Sequence, residues 1–156
     1  MIRQIGCNRK KKNQLSLHNM NEKLEQKLLS KKIKPTTMRL LVLQQLMQRT
    51  SAISLTELEN SFERADRTTL YRTLKTFEKS KLIHSIDDGT GVPKYALCLE
   101  GCECNPEDLH VHFHCTDCKE TFCVTQTSVP MVQLPVNFEL SEINMVIKGI
   151  CGNCKN

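Results

Sequence analysis

The chain lacks tryptophan altogether and has only five Phe and two Tyr in 156 residues, so a single large aromatic core is not expected. It also lacks any run near the roughly 18 consecutive apolar residues of a membrane span. The basic start MIRQIGCNRKKK leads into polar residues rather than an apolar stretch, which argues against a signal peptide. The expected setting is the cytosol, with no membrane partner. Thiols stay reduced there, so the nine cysteines point to metal sites before disulfides.

Charge is not evenly spread. Residues 1–97 hold 19 Lys and Arg against 9 Asp and Glu, net +10, whereas residues 98–156 hold 3 against 8, net −5, with eight of the nine cysteines and three of the five histidines. A basic part beside an acidic, thiol-rich one predicts two domains, one of them facing a polyanion. The boundaries expected are a disordered basic tail over 1–21, a basic domain over 22–97 and an acidic, thiol-rich domain over 98–156. Those last 59 residues are too few to bury a self-sufficient core and call for a staple. In the tail, the run Arg9 to Lys12 reads as solvated charge, or as an arm adding phosphate contacts. Met20 opens a second plausible start, MNEKLEQKLL.

Leu24, Leu28 and Leu29 predict a helix from about Glu22 to Lys32, closed by Pro35. A second helix is expected from Thr36 to about Gln48, with Met38, Leu41, Val42 and Leu46 on one face. Ser54 and Glu57 form a capping box, opening a short helix that turns Leu55, Leu58 and Phe62 inward. Asp66 caps a fourth helix running to about Lys81. On it Leu70, Leu74 and Phe77 fall within about 60° of one another, while Thr68, Arg72, Lys75 and Lys79 cluster opposite, with Tyr71 at the flank. A short helix, a tight turn and a longer basic helix make a helix-turn-helix, whose exposed face fits the major groove of double-stranded DNA. Arg72 and Lys75 are long enough to reach base edges or phosphates. The segments LIHSI and PKYAL, joined by Asp-Asp-Gly-Thr-Gly, read as the β-hairpin of a winged helix.

Cys115-Thr-Asp-Cys118 and Cys151-Gly-Asn-Cys154 are two CxxC pairs separated by 32 residues. Two such turns bring four thiolates to one ion, a closed structural Zn²⁺ site. A thioredoxin-like redox motif, the rival from another class, needs one CxxC opening a helix in a βα context, which neither pair offers. Upstream, His110, His112 and His114 alternate with Val111 and Phe113, so a strand projects all three to one face. With Cys123 on the next extended segment, Cys98, Cys102 and Cys104 before them and His84 on the wing, a second divalent-metal site is expected. His114 is expected to pack beside the zinc knuckle instead. A zinc deaminase is excluded: His110 is followed two residues on by His112 where H-x-E requires Glu, and no carboxylate is placed as proton shuttle.

The stretches DRTTLYRTLKTFEKSKLI, HVHFHCTDCKETF and VIKGICGNC, in that order, resemble the ferric uptake regulator family over roughly residues 22–156. The resemblance implies an α+β protein, with an N-terminal winged helix-turn-helix on operator DNA and a small zinc-stapled α+β domain that makes a homodimer. It implies a metal-responsive repressor, not an enzyme. Tyr71 and Arg72 match the family's recognition-helix pair; Lys34 and Arg39 match basic positions around the second helix, Lys34 as minor-groove or phosphate contact. Cys115, Cys118, Cys151 and Cys154 match the structural zinc ligands. In iron-type members a His precedes the third helix and a Glu sits on the second wing strand; here those positions are Ala52 and Ala96. A further Glu becomes Cys123, and a peripheral site loses its ligands to Leu109, Val111 and Ile143. The pattern is closer to zinc-uptake regulators, which His84 and Cys98 match at the sensing site. The implied sensing set is His84, Cys98, His110 or His112, and Cys123, with Cys102 or Cys104 as substitutes for Cys98. Thiolate in place of carboxylate favours Zn²⁺ over iron; an iron- or peroxide-responsive regulator of the same fold is the runner-up. Pro130 and Pro135 interrupt the helix that the family places after TFCV. Dimerisation is expected through a strand at Asn144 to Lys148.

Overall fold

The computed structural model describes residues 8–99, 109–130, 132–140 and 143–155. Helix α1 spans Asn8–Ser30 and α2 Thr37–Met47; strand β1 (Ile53–Ser54) leads into α3 (Leu55–Asn60), then α4 (Arg67–Lys79). Strands β2 (Ile83–Ile86) and β3 (Lys94–Leu97) follow, and β4 (His110–Cys115), β5 (Thr121–Ser128) and β6 (Val146–Gly149) complete the chain.

The caps are those the side chains dictate. Ser54 and Glu57 make the reciprocal capping box of α3, and Asp66 accepts from the Thr69 backbone N–H at the start of α4. Helices α1 and α4 close alike, by a Schellman motif. Lys32 and Lys81 take the left-handed conformation, at φ 57° and 54°, and Ile33 and Leu82 donate back to Leu28 and Phe77 at 2.9 Å. Each motif drives the following apolar residue inward: Ile33 and Leu82 are both 2% exposed.

Part of the segment read as a disordered tail is helical, since α1 begins at Asn8. Lys10 to Lys12, Gln14 and Leu15 are good helix formers, and propagation from a packed helix needs no apolar periodicity. On α2 the buried residues are Val42, Leu43 and Leu46, while Leu41 faces outward; Leu29 of α1 is exposed as well. Leu43, not Leu41, joins the buried cluster that holds Leu70, Leu74 and Phe77 of α4.

The principal core joins Leu24, Leu28 and Ile33 to Val42, Leu43 and Leu46, Ile53, Leu58, the α4 stripe Leu70, Leu74 and Phe77, and Leu82, Ile83 and Tyr95. The wing forms a sheet of order β1-β3-β2, all antiparallel; its two-residue strand β1 was not foreseen. The second sheet has order β5-β4-β6, with β5 antiparallel and β6 parallel to β4. Among the described residues beyond Leu99, the buried hydrophobic side chains are Val111 and Cys115. So small an apolar core cannot hold this sheet unaided. The residues after Pro130 carry no helix among those described, as the prolines require. No helix among the described residues is long and apolar enough to cross a membrane.

Candidate metal centres and nucleic-acid interface

The first cluster is the knuckle. The ligand atoms of Cys115, Cys118, Cys151 and Cys154 lie within 4.8 Å of one another, and Cys118 Sγ stands 3.8 Å from Cys151 Sγ. Zn–S bonds of about 2.3 Å give a tetrahedral S···S edge of about 3.8 Å, so the spacing fits zinc. Cys115 closes β4 and Cys151 follows β6, and the parallel pairing of those strands brings the two turns together. The Cys151 backbone N–H donates to Cys115 Sγ at 3.3 Å. That bond, with those from Cys118 and Asp117, lowers the Cys115 thiol to about 6. Neighbouring thiols, Cys151 foremost, push Cys154 upward. Four sulfurs this close lose their protons together only around a cation.

The second cluster lies between wing and sheet. His84 of β2, His110 and His112 of β4 and Cys123 of β5 bring one ligand atom each within 4.8 Å of the others. Alternation places His110 and His112 on the same face of β4, and Cys123 pairs directly with His112 across the ladder. His84 Nε2 is 3.2 Å from His112 Nε2 and 3.5 Å from Cys123 Sγ. Tetrahedral zinc predicts edges of about 3.3 Å for N···N and about 3.6 Å for N···S. These residues fit the ion. Burial, together with the neighbouring His110 and His112, lowers His84 to about 4. Burial, then His110, does the same to His112. Both rings are therefore neutral near pH 7, the form that ligates. Burial pushes the Cys123 thiol up to about 11, so it must shed a proton to bind.

Of the sensing residues expected from sequence, the structure gathers four and leaves Cys98 outside the group. Cys98 Sγ lies 3.6 Å from His84 Nδ1, on the other edge of the ring. Placed there, it orients the imidazole so that Nε2 points at the cluster. Cys102 and Cys104 fall outside the described residues. Ala52, where iron-type members carry His, is buried, and its backbone N–H donates to Thr121 O at 2.7 Å. His114 does not join the cluster; its Nδ1 contacts Thr121 Oγ1 at 3.0 Å and Asp88 Oδ2 at 3.2 Å. Asp88, Lys94 and Thr121 were not singled out from the sequence. One signal was present: Lys94, a charge entering an otherwise apolar wing strand.

On the basic side, Lys34, Thr68, Tyr71, Arg72 and Lys75 are exposed, opposite buried Leu70, Thr73, Leu74 and Phe77. Lys75 is partly engaged, with Glu78 at 2.7 Å and the Tyr71 ring centroid at 5.9 Å. Arg39 is half-buried and donates to Lys34 O at 2.8 Å, which ties down the loop carrying Lys34. Arg72 projects from the middle of α4 on the side turned away from the core.

The sequence pattern of the ferric uptake regulator family matches residues 30–148. The chain belongs to that family. Its members are transcriptional regulators rather than enzymes. A ferric uptake regulation protein of Bordetella parapertussis is 32% identical over 91 residues, which span 56% of this chain and 60% of that protein. A zinc uptake regulator whose structure was solved with zinc and DNA superposes with a TM-score of 0.64 at 18% identity, covering 88% of this chain and 94% of the other. The Vibrio cholerae ferric uptake regulator gives 0.55 at 21% identity, over 81% and 98%. These structures share the fold of a ferric uptake regulator.

Proposed function

We propose that this chain is a homodimeric, zinc-sensing transcriptional repressor that binds operator DNA and controls metal-uptake genes. The observation that carries the reading is the convergence of His84, His110, His112 and Cys123 from both sides of the wing–sheet cleft. Three imidazoles and a thiol form a nitrogen- and sulfur-rich set with no carboxylate, suited to zinc rather than to harder Fe²⁺ or Mn²⁺. Bound there, the ion supplies a cross-link between wing and sheet. The chain does the rest. His84 rides on the hairpin of the DNA-binding domain, so holding it against His112 and Cys123 fixes the orientation of α4 relative to the second sheet.

Arg72, Tyr71, Thr68 and Lys75 are the base-reading and groove-facing residues, with Lys34 on the backbone. The dimer reading rests on one outer edge of β6 and on exposed apolar side chains of the second domain. Ile147 and Ile150 are 45% and 58% exposed, and Val136 and Phe138 are 88% and 69% exposed. Apolar residues this exposed suit burial against a second copy.

The test is metal analysis of the purified protein, then DNA binding titrated with Zn²⁺, Fe²⁺ and Mn²⁺ on a sequence selected from random duplexes. Zinc alone restoring tight binding supports the reading. A response to Fe²⁺ but not Zn²⁺, or release on exposure to low peroxide, overturns the zinc assignment.

A further inference from the structure

The wing is fastened to the second sheet at another place besides the metal cluster. At the hairpin turn the Asp88 carboxylate is 0% exposed and 3.1 Å from Lys94 Nζ. Thr121 Oγ1 donates to Asp88 Oδ2 at 2.6 Å, while the Thr90 backbone N–H occupies the other oxygen at 3.0 Å. Lys94 Nζ donates across the cleft to Lys119 O at 2.5 Å and Thr121 Oγ1 at 3.2 Å. With His114 Nδ1 at 3.0 Å, the Thr121 hydroxyl gives one hydrogen bond and, when that nitrogen carries the ring proton, receives two, its full capacity. The Asn144 side-chain amide donates to Asp87 O at 2.7 Å, so the same turn also touches the approach to β6.

A buried ion pair is a poor source of net stability, because desolvation consumes most of the attraction; its best-attested use is to enforce one register. The positions show what register is at stake. Thr121 precedes Cys123 by two residues on β5, and His114 follows His112 by two on β4, so each lies one strand repeat from a cluster residue on the same face. Asp88 stands four residues beyond His84, just past the end of β2.

We infer that Asp88, Lys94 and Thr121 form a metal-independent clasp that sets the register of the wing on the second sheet and thereby positions His84 against His112 and Cys123. They are positioning residues for the sensing site, and the inference rests on the reading of that cluster as a metal site. Without the clasp, the ion must itself supply the ordering of the wing, and binding weakens.

The experiment uses the full-length protein and measures Zn²⁺ affinity of the second site by competition with a chromophoric chelator. Asp88→Asn/Lys94→Met removes both charges together, leaving no unpaired buried ion. Thr121→Val removes the hydroxyl at constant shape, and Thr121→Ser keeps it. The double variant and Thr121→Val should lose about 10-fold or more in affinity, the scale of outer-sphere partners. Thr121→Ser should stay near wild type, and all should keep one Cys₄ zinc and the dimer mass. Wild-type affinity in Thr121→Val, or an equal loss in Thr121→Ser, overturns the clasp; if the double variant does not fold, the Thr121 pair decides. A wild-type protein that takes only one zinc per subunit instead overturns the metal-site reading on which the clasp rests.

Discussion

His84 Nε2 lies 3.2 Å from His112 Nε2, although the wing carries one ring and the second sheet the other. Two neutral imidazole nitrogens both aimed at that gap repel unless a cation or a shared proton lies between them. Cys123 Sγ, 3.5 Å from the same His84 nitrogen, gives the gap a third donor.

Cys123→Ala should therefore leave one zinc per subunit, held by Cys115, Cys118, Cys151 and Cys154, and a dimer whose DNA affinity no longer answers zinc. Metal content by elemental analysis and binding by fluorescence anisotropy check both halves. Zinc-dependent DNA binding in this variant would remove Cys123 from the sensing set. Cys98→Ala should weaken second-site zinc by about 10-fold without abolishing it, because it touches His84 through Nδ1 rather than through the cluster.

On α4, Arg72→Ala should cost about 1–3 kcal/mol against the specific site and little against random DNA. Lys34→Ala should weaken both alike and lower the slope of log affinity against log salt by about one. Titrations at three salt concentrations separate the two. Unchanged specific binding by Arg72→Ala would misplace the recognition face.

Much of this was legible in the sequence because the signals were local. The Ser54–Glu57 capping box, the Asp66 cap and the alternating HVHFHC strand each depend on neighbours within a few residues. The two CxxC turns carried their own geometry. What escaped depends on distance in the chain. Nothing local distinguishes Leu41 from Leu43 on α2, or says that Cys98 and Cys123 meet opposite edges of one imidazole. Asp88 sits in an Asp-Gly turn, a composition that normally means solvent; only its long-range contact with Thr121 reveals a buried carboxylate. The start of α1 escaped for another reason: its first turns follow propensity and show no apolar repeat.

Cys115→Ser or Cys154→Ser should unfold the second sheet and cost the dimer, not merely the metal response. With Val111 and Cys115 as its buried hydrophobic side chains among the described residues, that region has little apolar core of its own, and at a structural metal site the binding free energy is folding free energy. Light scattering should report monomer or aggregate, while the helical signal of the first domain persists. A stable, zinc-free dimer would refute the staple.

His84 and His112 are lowered from the usual 6.5 to about 4, so above pH 7 neither carries a proton that zinc must displace. Cys123 is raised from 9.0 to about 11, so up to pH 8.5 the thiol is protonated when free and must be thiolate when ligated. Zinc entry at the second site should then release one proton from Cys123. A reaction that releases a proton is favoured as pH rises, so the affinity should climb about tenfold per pH unit between pH 7.0 and 8.5. Calorimetry in buffers of different ionisation enthalpy counts that proton directly. Cys123→His, which keeps four donors but removes the thiol, should flatten the dependence over the same range. A wild-type affinity independent of pH there would mean that the Cys123 thiol stays out of the metal's coordination.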